Sequence, residues 1–183
     1  MHTQIAIDGP VASGKTVVGK ILSEQLGWRF LDTGLMYRAI TWMALHEQID
    51  ASDHLALENL AINSQIELVA SSEGDRLFIN QNDITDDLRS RSIEATVSFI
   101  SQISGVRTAL ILKQREIASS GSIVMVGRDI GTRVLKYAGI KVFLTASTDE
   151  RAKRRFSQAL EINPDTTLKI VKTDLERRDL IDS

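Results

Sequence analysis

The chain has 183 residues, of which 43% are hydrophobic and 5% aromatic, enough to bury one core and to favour a single domain. Its 22 basic and 24 acidic side chains give a net charge of −2, which excludes a general electrostatic attraction to nucleic acid or to an anionic membrane. The absence of cysteine excludes disulfides, thiolate metal sites and a thiol nucleophile. There is no signal-peptide pattern, and no apolar run approaches the roughly 18 residues that span a bilayer, so we expect a soluble, cytoplasmic protein.

Short apolar runs alternate with helical patterns along most of the chain. This alternation indicates βαβ units, which build a largely parallel sheet covered by helices on both faces. The runs predict strands at about 3–8, 28–32, 122–127 and 140–145. The helical patterns predict helices at about 14–26, 34–47, 103–119, 148–160 and 167–179.

The middle of the chain breaks this alternation. The segments IELVA (66–70) and RLFINQNDIT (76–85) flank the polar, glycine-containing SSEGD (71–75), which predicts an antiparallel hairpin. Helices are expected on either side, at about 54–64 and 86–101. We therefore predict a small insert, at about 61–101, within a core made of about 1–60 and 102–183.

A glycine-rich turn follows the first predicted strand. Residues 9–16, GPVASGKT, fit G-x-x-x-x-G-K-[ST] with no mismatch. In this motif backbone N–H groups and the helix N-terminus surround phosphates, the lysine reaches the β and γ phosphates, and the Thr16 hydroxyl binds Mg²⁺. The expected contacts to the triphosphate are Gly9, Pro10, Val11, Ala12, Ser13, Gly14, Lys15, Thr16 and Val17. An ordinary strand-to-helix turn is the alternative, but the apolar strand before it and the amphipathic helix after it favour a nucleotide site. GTPases, motor ATPases and small-molecule kinases share this loop, so it does not identify the acceptor.

Arginines that follow two other predicted strands are candidates for the acceptor side. In LDTGLMYR, Asp32 or Thr33 could cap the next helix, while Arg38 could bind a second phosphate or lie on a solvated helix face. In VGRDIGT, flanking glycines place Arg128 and Asp129 in a turn at the carboxyl edge of the sheet. The alternative for that pair is a local salt bridge.

Two further basic segments lie in or before predicted helices. SGVRTAL places Arg107 near a helix start, and STDERAKRRFSQAL begins with a serine or threonine N-cap and acidic first-turn residues. It then carries Arg151, Arg154 and Arg155, which could form a solvated face. In phosphoryl transfer, mobile arginines neutralise charge on the transferring group, which is the functional alternative.

Taken together and in order, these motifs resemble one family. IAIDGPVASGKT, LDTGLMYR, LRSRSIEATVS…GVRTAL, VGRDIGT, KVFLTASTDERAKRR and LERRDLIDS closely resemble bacterial cytidylate kinase over nearly the whole chain. The resemblance implies a P-loop NTPase fold, a three-layer α/β/α arrangement with a mostly parallel central sheet and a small antiparallel hairpin insert in the region that binds the nucleoside monophosphate. It also implies a monomeric enzyme that phosphorylates CMP and dCMP with ATP and Mg²⁺.

The resemblance also implies roles for individual residues. The catalytic group would be Lys15, Arg128, Arg151 and Arg155, the last two within a lid at about 151–166 that also contains Arg154. The CMP contacts would be Thr33, Arg38, Ser98, Arg107, Arg128, Asp129, Arg178 and Asp182. Members of the family continue past RDLIDS with a further strand and helix, so we expect that the sequence is part of a longer chain.

Three alternatives to a CMP kinase follow from these patterns. One is a P-loop kinase with another acceptor, such as UMP, AMP or shikimate. Another is a nucleotide-binding module that lacks transfer activity because of a shortened C-terminus. A GTPase switch is least favoured, because the sequence has no N-K-x-D guanine motif.

Overall fold

The computed structural model of the protein describes residues 3–69 and 76–182. These residues form two compact units: unit 1 extends up to Asp32 and resumes at Ala118, and unit 2 is Thr33–Ile117. The single domain with an insert at 61–101 stays a prediction.

The strands, in chain order, are β1 (Gln4–Asp8), β2 (Arg29–Asp32), β3 (Ile66–Val69), β4 (Arg76–Ile79), β5 (Asn82–Asp83), β6 (Ile123–Gly127) and β7 (Ile140–Phe143). The helices are α1 (Lys15–Leu26), α2 (Thr33–His46), α3 (His54–Asn63), α4 (Arg91–Ile100), α5 (Ser104–Ser119), α6 (Thr148–Ile162) and α7 (Leu168–Asp182). A 3₁₀ turn at Asp87–Arg89 precedes α4, and a π-helical turn at Ile130–Val134 follows β6.

Unit 1 contains a four-stranded parallel sheet in the order β2–β6–β1–β7. The inner strands β1 and β6 are almost continuously apolar and buried, as expected for a parallel sheet. The two strands contribute a buried apolar cluster, formed by Ile5, Ile7, Val124 and Val126, and partly buried hydrophobic side chains pack against it. The predicted parallel α/β sheet is confirmed, and its strands bring their carboxyl ends to one edge.

Helices α6 and α7 pack against each other in unit 1. Ala152 of α6 and Val171 and Leu175 of α7 are buried, and Val11 of the glycine-rich turn packs against them. The predicted N-cap of α6 is confirmed, since the Ser147 side chain accepts a hydrogen bond from the Glu150 backbone N–H at 3.3 Å.

Unit 2 combines helices α2–α5 with a three-stranded antiparallel sheet in the order β3–β4–β5. Helix α2 packs against α3, α4 and β4. The predicted antiparallel pairing is confirmed, but RLFINQNDIT is not one strand. It turns after Ile79, because Asn80 and Gln81 adopt left-handed φ angles of 47° and 67°, and the chain then returns as β5.

Two other predictions concern this middle region. The helix predicted at about 86–101 is shorter, because the 3₁₀ turn ends at Ser90, whose extended backbone precedes α4. The SSEGD turn lies outside the described residues. Within the described ranges, no single helix has the length and apolar character to cross a membrane, although the bent pair α4–α5 passes such a test by length and composition.

Candidate functional site

The glycine-rich turn joins β1 to α1 at the carboxyl edge of the unit 1 sheet. A side chain at Gly9 would meet the Leu144 carbonyl oxygen at 2.1 Å, so only glycine fits where the turn passes this strand end. Gly14 is the helix N-cap with a left-handed φ of 99°, which leaves the first N–H groups of α1 pointing out of the helix. Within the described residues, the buried Ser13 Oγ has no hydrogen-bond partner. The turn therefore presents N–H and hydroxyl donors at the positive end of a helix.

Lys15 begins α1 and folds back over the turn. Its Nζ donates a hydrogen bond to the Pro10 carbonyl oxygen at 3.1 Å. Burial, and then the positive charge of Arg128, lower the Lys15 pKa from 10.5 to about 8, and Asp32 and Asp8 partly oppose this. The amine is therefore a partly desolvated cation that a phosphate would stabilise.

Thr16 and Asp32 place two oxygen atoms beside this lysine. Thr16 Oγ1 donates to Asp32 Oδ2 at 2.7 Å, joining the first turn of α1 to the end of β2. Hydroxyl and carboxylate oxygens are hard ligands of the kind that Mg²⁺ prefers. No group of three or more His, Cys, Asp or Glu side chains that would hold a metal by itself occurs among the residues that the structure describes.

Asp8, the last residue of β1, holds the turn that follows β6. Its buried carboxylate accepts hydrogen bonds from the Ile130 N–H at 2.6 Å and from the Gly131 N–H at 2.8 Å. These bonds start the π-helical turn directly after Arg128 and Asp129. The predicted VGRDIGT turn is thus positioned by a residue that lies 122 positions earlier in the chain.

Arg128 lies at the same sheet edge, partly buried. Burial, and then the neighbouring Arg178, lower its pKa from 12.5 to about 10, opposed by Asp179 and Asp32. Arg178 of α7 forms an ion pair with Asp174, with 2.9 Å between Nε and Oδ2. Asp129 is within 3.9 Å of Arg133. Two predicted CMP residues, Arg128 and Arg178, are therefore electrostatic neighbours in unit 1.

Two of the three arginines of α6, Arg151 and Arg154, contact the phosphate turn. Arg154 Nη1 donates to the Ser13 carbonyl oxygen at 3.1 Å, and Arg151 Nη1 donates to the Val11 carbonyl oxygen at 3.3 Å. Arg155 donates to Gln158 on its own helix at 3.0 Å. Arg151 is only 4% exposed, so this residue does not lie on a solvated basic face.

The predicted acceptor residues of unit 2 gather along α4. Arg38 of α2 forms an ion pair with Glu94 at 2.8 Å and donates to the Leu88 carbonyl oxygen at 2.8 Å. Arg107 of α5 donates to the carbonyl oxygen of Ser101, the C-cap of α4, at 3.2 Å. Ser98 lies on α4 four residues after Glu94, on the same helix face. Two arginines and a hydroxyl are therefore brought to one helix.

Two further residues, Thr33 and Asp182, are expected to contact CMP. Thr33 is buried at the start of α2. Asp182 is the last residue of α7, and its side chain lies outside the described residues.

Comparison with known proteins agrees with the sequence motifs. A family model described as cytidylate kinase matches residues 5–183. The chain belongs to the cytidylate kinase family. It is 43% identical to a cytidylate kinase of Geobacillus sp. (strain WCH70) over 182 residues, covering all of this chain and 81% of that protein. The cytidylate kinases of Enterococcus faecalis and Bacillus subtilis are 44% and 41% identical over 98% of this chain, which spans 79% and 80% of their lengths.

Sequence reasoning did not assign a functional role to two residues of this cytidylate kinase family member. Asp8 directly precedes the phosphate-binding motif, and the sequence pattern suggests only helix capping for Asp32. Both are the last residues of parallel strands, and the carboxyl ends of such strands meet at a single edge. Their position at the end of a strand is the feature of the sequence that indicates a role at the site.

Proposed function

We propose that this protein transfers the γ-phosphoryl group of ATP to CMP, and also to dCMP, producing ADP and the nucleoside diphosphate. The observation that carries phosphoryl transfer is that the partly buried side chains of Lys15 and Arg128 interact electrostatically at the carboxyl edge of the sheet, beside a turn built to bind phosphate. The choice of CMP as the acceptor is supported by membership of the cytidylate kinase family over residues 5–183.

The donor nucleotide would bind to the turn from Gly9 to Val17. Lys15 would exchange its hydrogen bond to the Pro10 carbonyl for the β and γ phosphates, and the free Ser13 hydroxyl is a further donor at the same turn. Burial lowers the Lys15 pKa because it disfavours the charged amine. The negative phosphates of ATP would stabilise this charge, so the environment of Lys15 favours the binding of ATP.

Thr16 and Asp32 would hold Mg²⁺ together with the phosphates. Their oxygens are already 2.7 Å apart, and Mg²⁺ is usually bound by one or two protein oxygens plus substrate phosphates and water. When bound, this ion supplies neutralisation of the phosphate charge.

The acceptor contacts are assigned for each unit by itself. In unit 2 we assign Thr33, Arg38, Ser98 and Arg107 to CMP. In unit 1 we assign Arg128, Asp129, Arg178 and Asp182. Arg38 is held by Glu94 and Leu88 in a defined position, and a phosphate dianion can take over its donors because a guanidinium binds phosphate in a bidentate manner.

The chemistry requires no strong general base. An oxygen of the CMP phosphate, already anionic, forms a bond to the γ phosphorus while the bond from that phosphorus to the β–γ bridging oxygen breaks. The electron pair remains on ADP. Lys15, Arg128 and the α6 residue Arg155 would neutralise charge on the transferring group, and exclusion of water by the lid would prevent hydrolysis.

The test is a comparison of acceptors. CMP, dCMP, UMP and AMP are incubated separately with ATP, Mg²⁺ and the protein, and ADP formation is measured at several acceptor concentrations. We expect a higher kcat/KM with CMP and dCMP than with UMP and AMP, and we expect ATP alone to be hydrolysed far more slowly. A preference for AMP or UMP would refute the proposed acceptor. The predicted monomeric state is tested separately by sedimentation, and the predicted cytoplasmic location by cell fractionation.

A further inference from the structure

The contacts of Arg151 differ from those expected of a residue that touches the phosphates. Its guanidinium makes five hydrogen bonds, and an arginine side chain has five N–H donors. The acceptors are the Ala146 and Val11 carbonyl oxygens, Thr148 Oγ1 and both carboxylate oxygens of Asp179. Every donor is used, so Arg151 would have to break an existing bond in order to bind a phosphate.

The bond to Asp179 is the strongest of these contacts. Arg151 Nη1 and Nη2 lie 3.0 and 2.5 Å from the two Asp179 oxygens, a bidentate ion pair. The Arg151 side chain is 5% exposed and that of Asp179 is 30% exposed. Removal of Asp179 would leave the charge of the buried Arg151 without its carboxylate partner, so the arrangement favours the observed geometry.

Arg151 and Asp179 link the turn proposed to bind ATP to the helix that carries proposed CMP contacts. Through Val11, Arg151 holds the turn that would bind ATP. Through Asp179, it holds α7 at the residue next to Arg178, which we assign to CMP. Val11 also packs against the apolar cluster between α6 and α7, so the turn and α7 are joined by packing as well as by hydrogen bonds.

We infer that Arg151 and Asp179 form a positioning pair that aligns the CMP-binding end of α7 with the ATP-binding turn. The inference rests on the proposed function and changes the expected role of Arg151, which acts through Asp179 and Val11 instead of contacting the transferring phosphoryl group. The pair therefore affects acceptor binding more than the chemical step.

The structure offers a matched control. Lys172 of α7 and Asp149 of α6 form a second ion pair between the same two helices, at 2.7 Å. Both side chains are exposed, at 43% and 70%, and neither has a contact with the phosphate turn among the hydrogen bonds and ion pairs described. Asp149→Asn removes an ion pair between α6 and α7 that does not involve the phosphate turn. Asp179→Asn removes the ion pair to Arg151, which is the residue that binds the Val11 carbonyl oxygen of the turn.

The experiment compares the wild type with Asp179→Asn, Arg151→Lys, their double variant and Asp149→Asn. In the positioning role, Asp179→Asn raises the KM for CMP roughly tenfold and changes kcat less than about threefold, since misplacement of a binding group acts on orientation. Arg151→Lys behaves in the same way, because lysine keeps the charge but cannot form the bidentate pair. The double variant is no worse than the worse single variant, and Asp149→Asn matches the wild type.

Two results would overturn the inference. One is an Arg151→Lys variant that retains the wild-type KM for CMP while Asp179→Asn does not. The other is a double variant whose loss equals the product of the single losses, since this would show that Arg151 acts independently of Asp179.

A second measurement separates this inference from the proposed function. Amide hydrogen exchange of the peptide covering residues 9–16 is followed without any substrate. We expect faster exchange in Asp179→Asn than in the wild type and Asp149→Asn, because the Val11 contact is loosened. Unchanged exchange overturns the positioning pair even if CMP is the substrate. Faster exchange in a protein that does not phosphorylate CMP would support the pair and refute the proposed acceptor.

Discussion

The charge of Lys15 provides the sharpest test of the site. We expect this charge to lower the stability of the fold and, at the same time, to be required for turnover. The Lys15 pKa falls from 10.5 to about 8 on folding, first through burial and then through Arg128. At about 1.4 kcal/mol per pKa unit, the charged amine destabilises the ligand-free protein by up to about 3 kcal/mol at pH 7. Lys15→Met removes this charge and keeps the length of the side chain.

The substitution also removes the hydrogen bond to the Pro10 carbonyl, which is worth about 1 kcal/mol. We therefore expect Lys15→Met to raise the free energy of unfolding by about 1–2 kcal/mol, or the thermal midpoint by roughly 2–8 °C for a chain of this size. The same variant should lose at least about three orders of magnitude in kcat, or roughly 4 kcal/mol of transition-state stabilisation.

The measurements are urea and thermal unfolding without nucleotide at pH 7, together with the ADP assay. The stabilisation should be fully present below pH 8. It should shrink between pH 8 and 10.5, since the folded wild type then loses the Lys15 proton while the unfolded chain still holds it.

Lys153→Met is the control. Lys153 is 65% exposed in an i,i+3 ion pair, so we expect the free energy of unfolding to change by no more than about 0.5 kcal/mol. A less stable Lys15→Met protein, or one with near wild-type turnover, would refute the reasoning.

Three further results are expected. The kcat/KM for ATP should fall as the pH rises through about 8, because the neutral Lys15 amine cannot attract phosphate; a profile that is flat to pH 9.5 contradicts this. Asp8→Asn should lower the free energy of unfolding by about 1–3 kcal/mol, since an amide can accept from only one of the buried Ile130 and Gly131 N–H groups without clashing with the other; an unchanged urea midpoint would show that the turn re-forms its bonds elsewhere. Asp129→Ala should raise the KM for CMP more than the KM for ATP in steady-state assays, and equal changes would instead assign Asp129 to support of the turn.

The elements of the fold were largely predictable because their signals are local. A short apolar run, a glycine-rich turn and an amphipathic helix specify β1, the phosphate turn and α1 without reference to any other part of the chain. The middle region was harder. Two residues in the left-handed region, Asn80 and Gln81, divide the predicted second strand, and periodicity in the sequence does not reveal a backbone angle.

The candidate site was predictable in its residue types but not in its contacts. Periodicity placed Arg151 and Arg155 on one helix face, yet only Arg151 is buried, because its partners lie 28 and 140 residues away at Asp179 and Val11. The sequence allows a solvated helix face for Arg38, but Glu94 and the Leu88 carbonyl oxygen hold its guanidinium. Partners at such distances along the chain leave no trace in local spacing.

The sequence by itself determined the phosphate turn, the alternation of strands and helices, and the arginines available to an acceptor, since glycine conformations, apolar periodicity and charge are properties of short segments. Only the tertiary structure decided which groups meet. Asp8 reaches across 122 residues to the turn after β6, and Asp179 reaches across 28 residues to Arg151. The physical reason is that parallel strands joined by crossovers bring their carboxyl ends to one edge, where buried charges must find partners regardless of their distance in the chain.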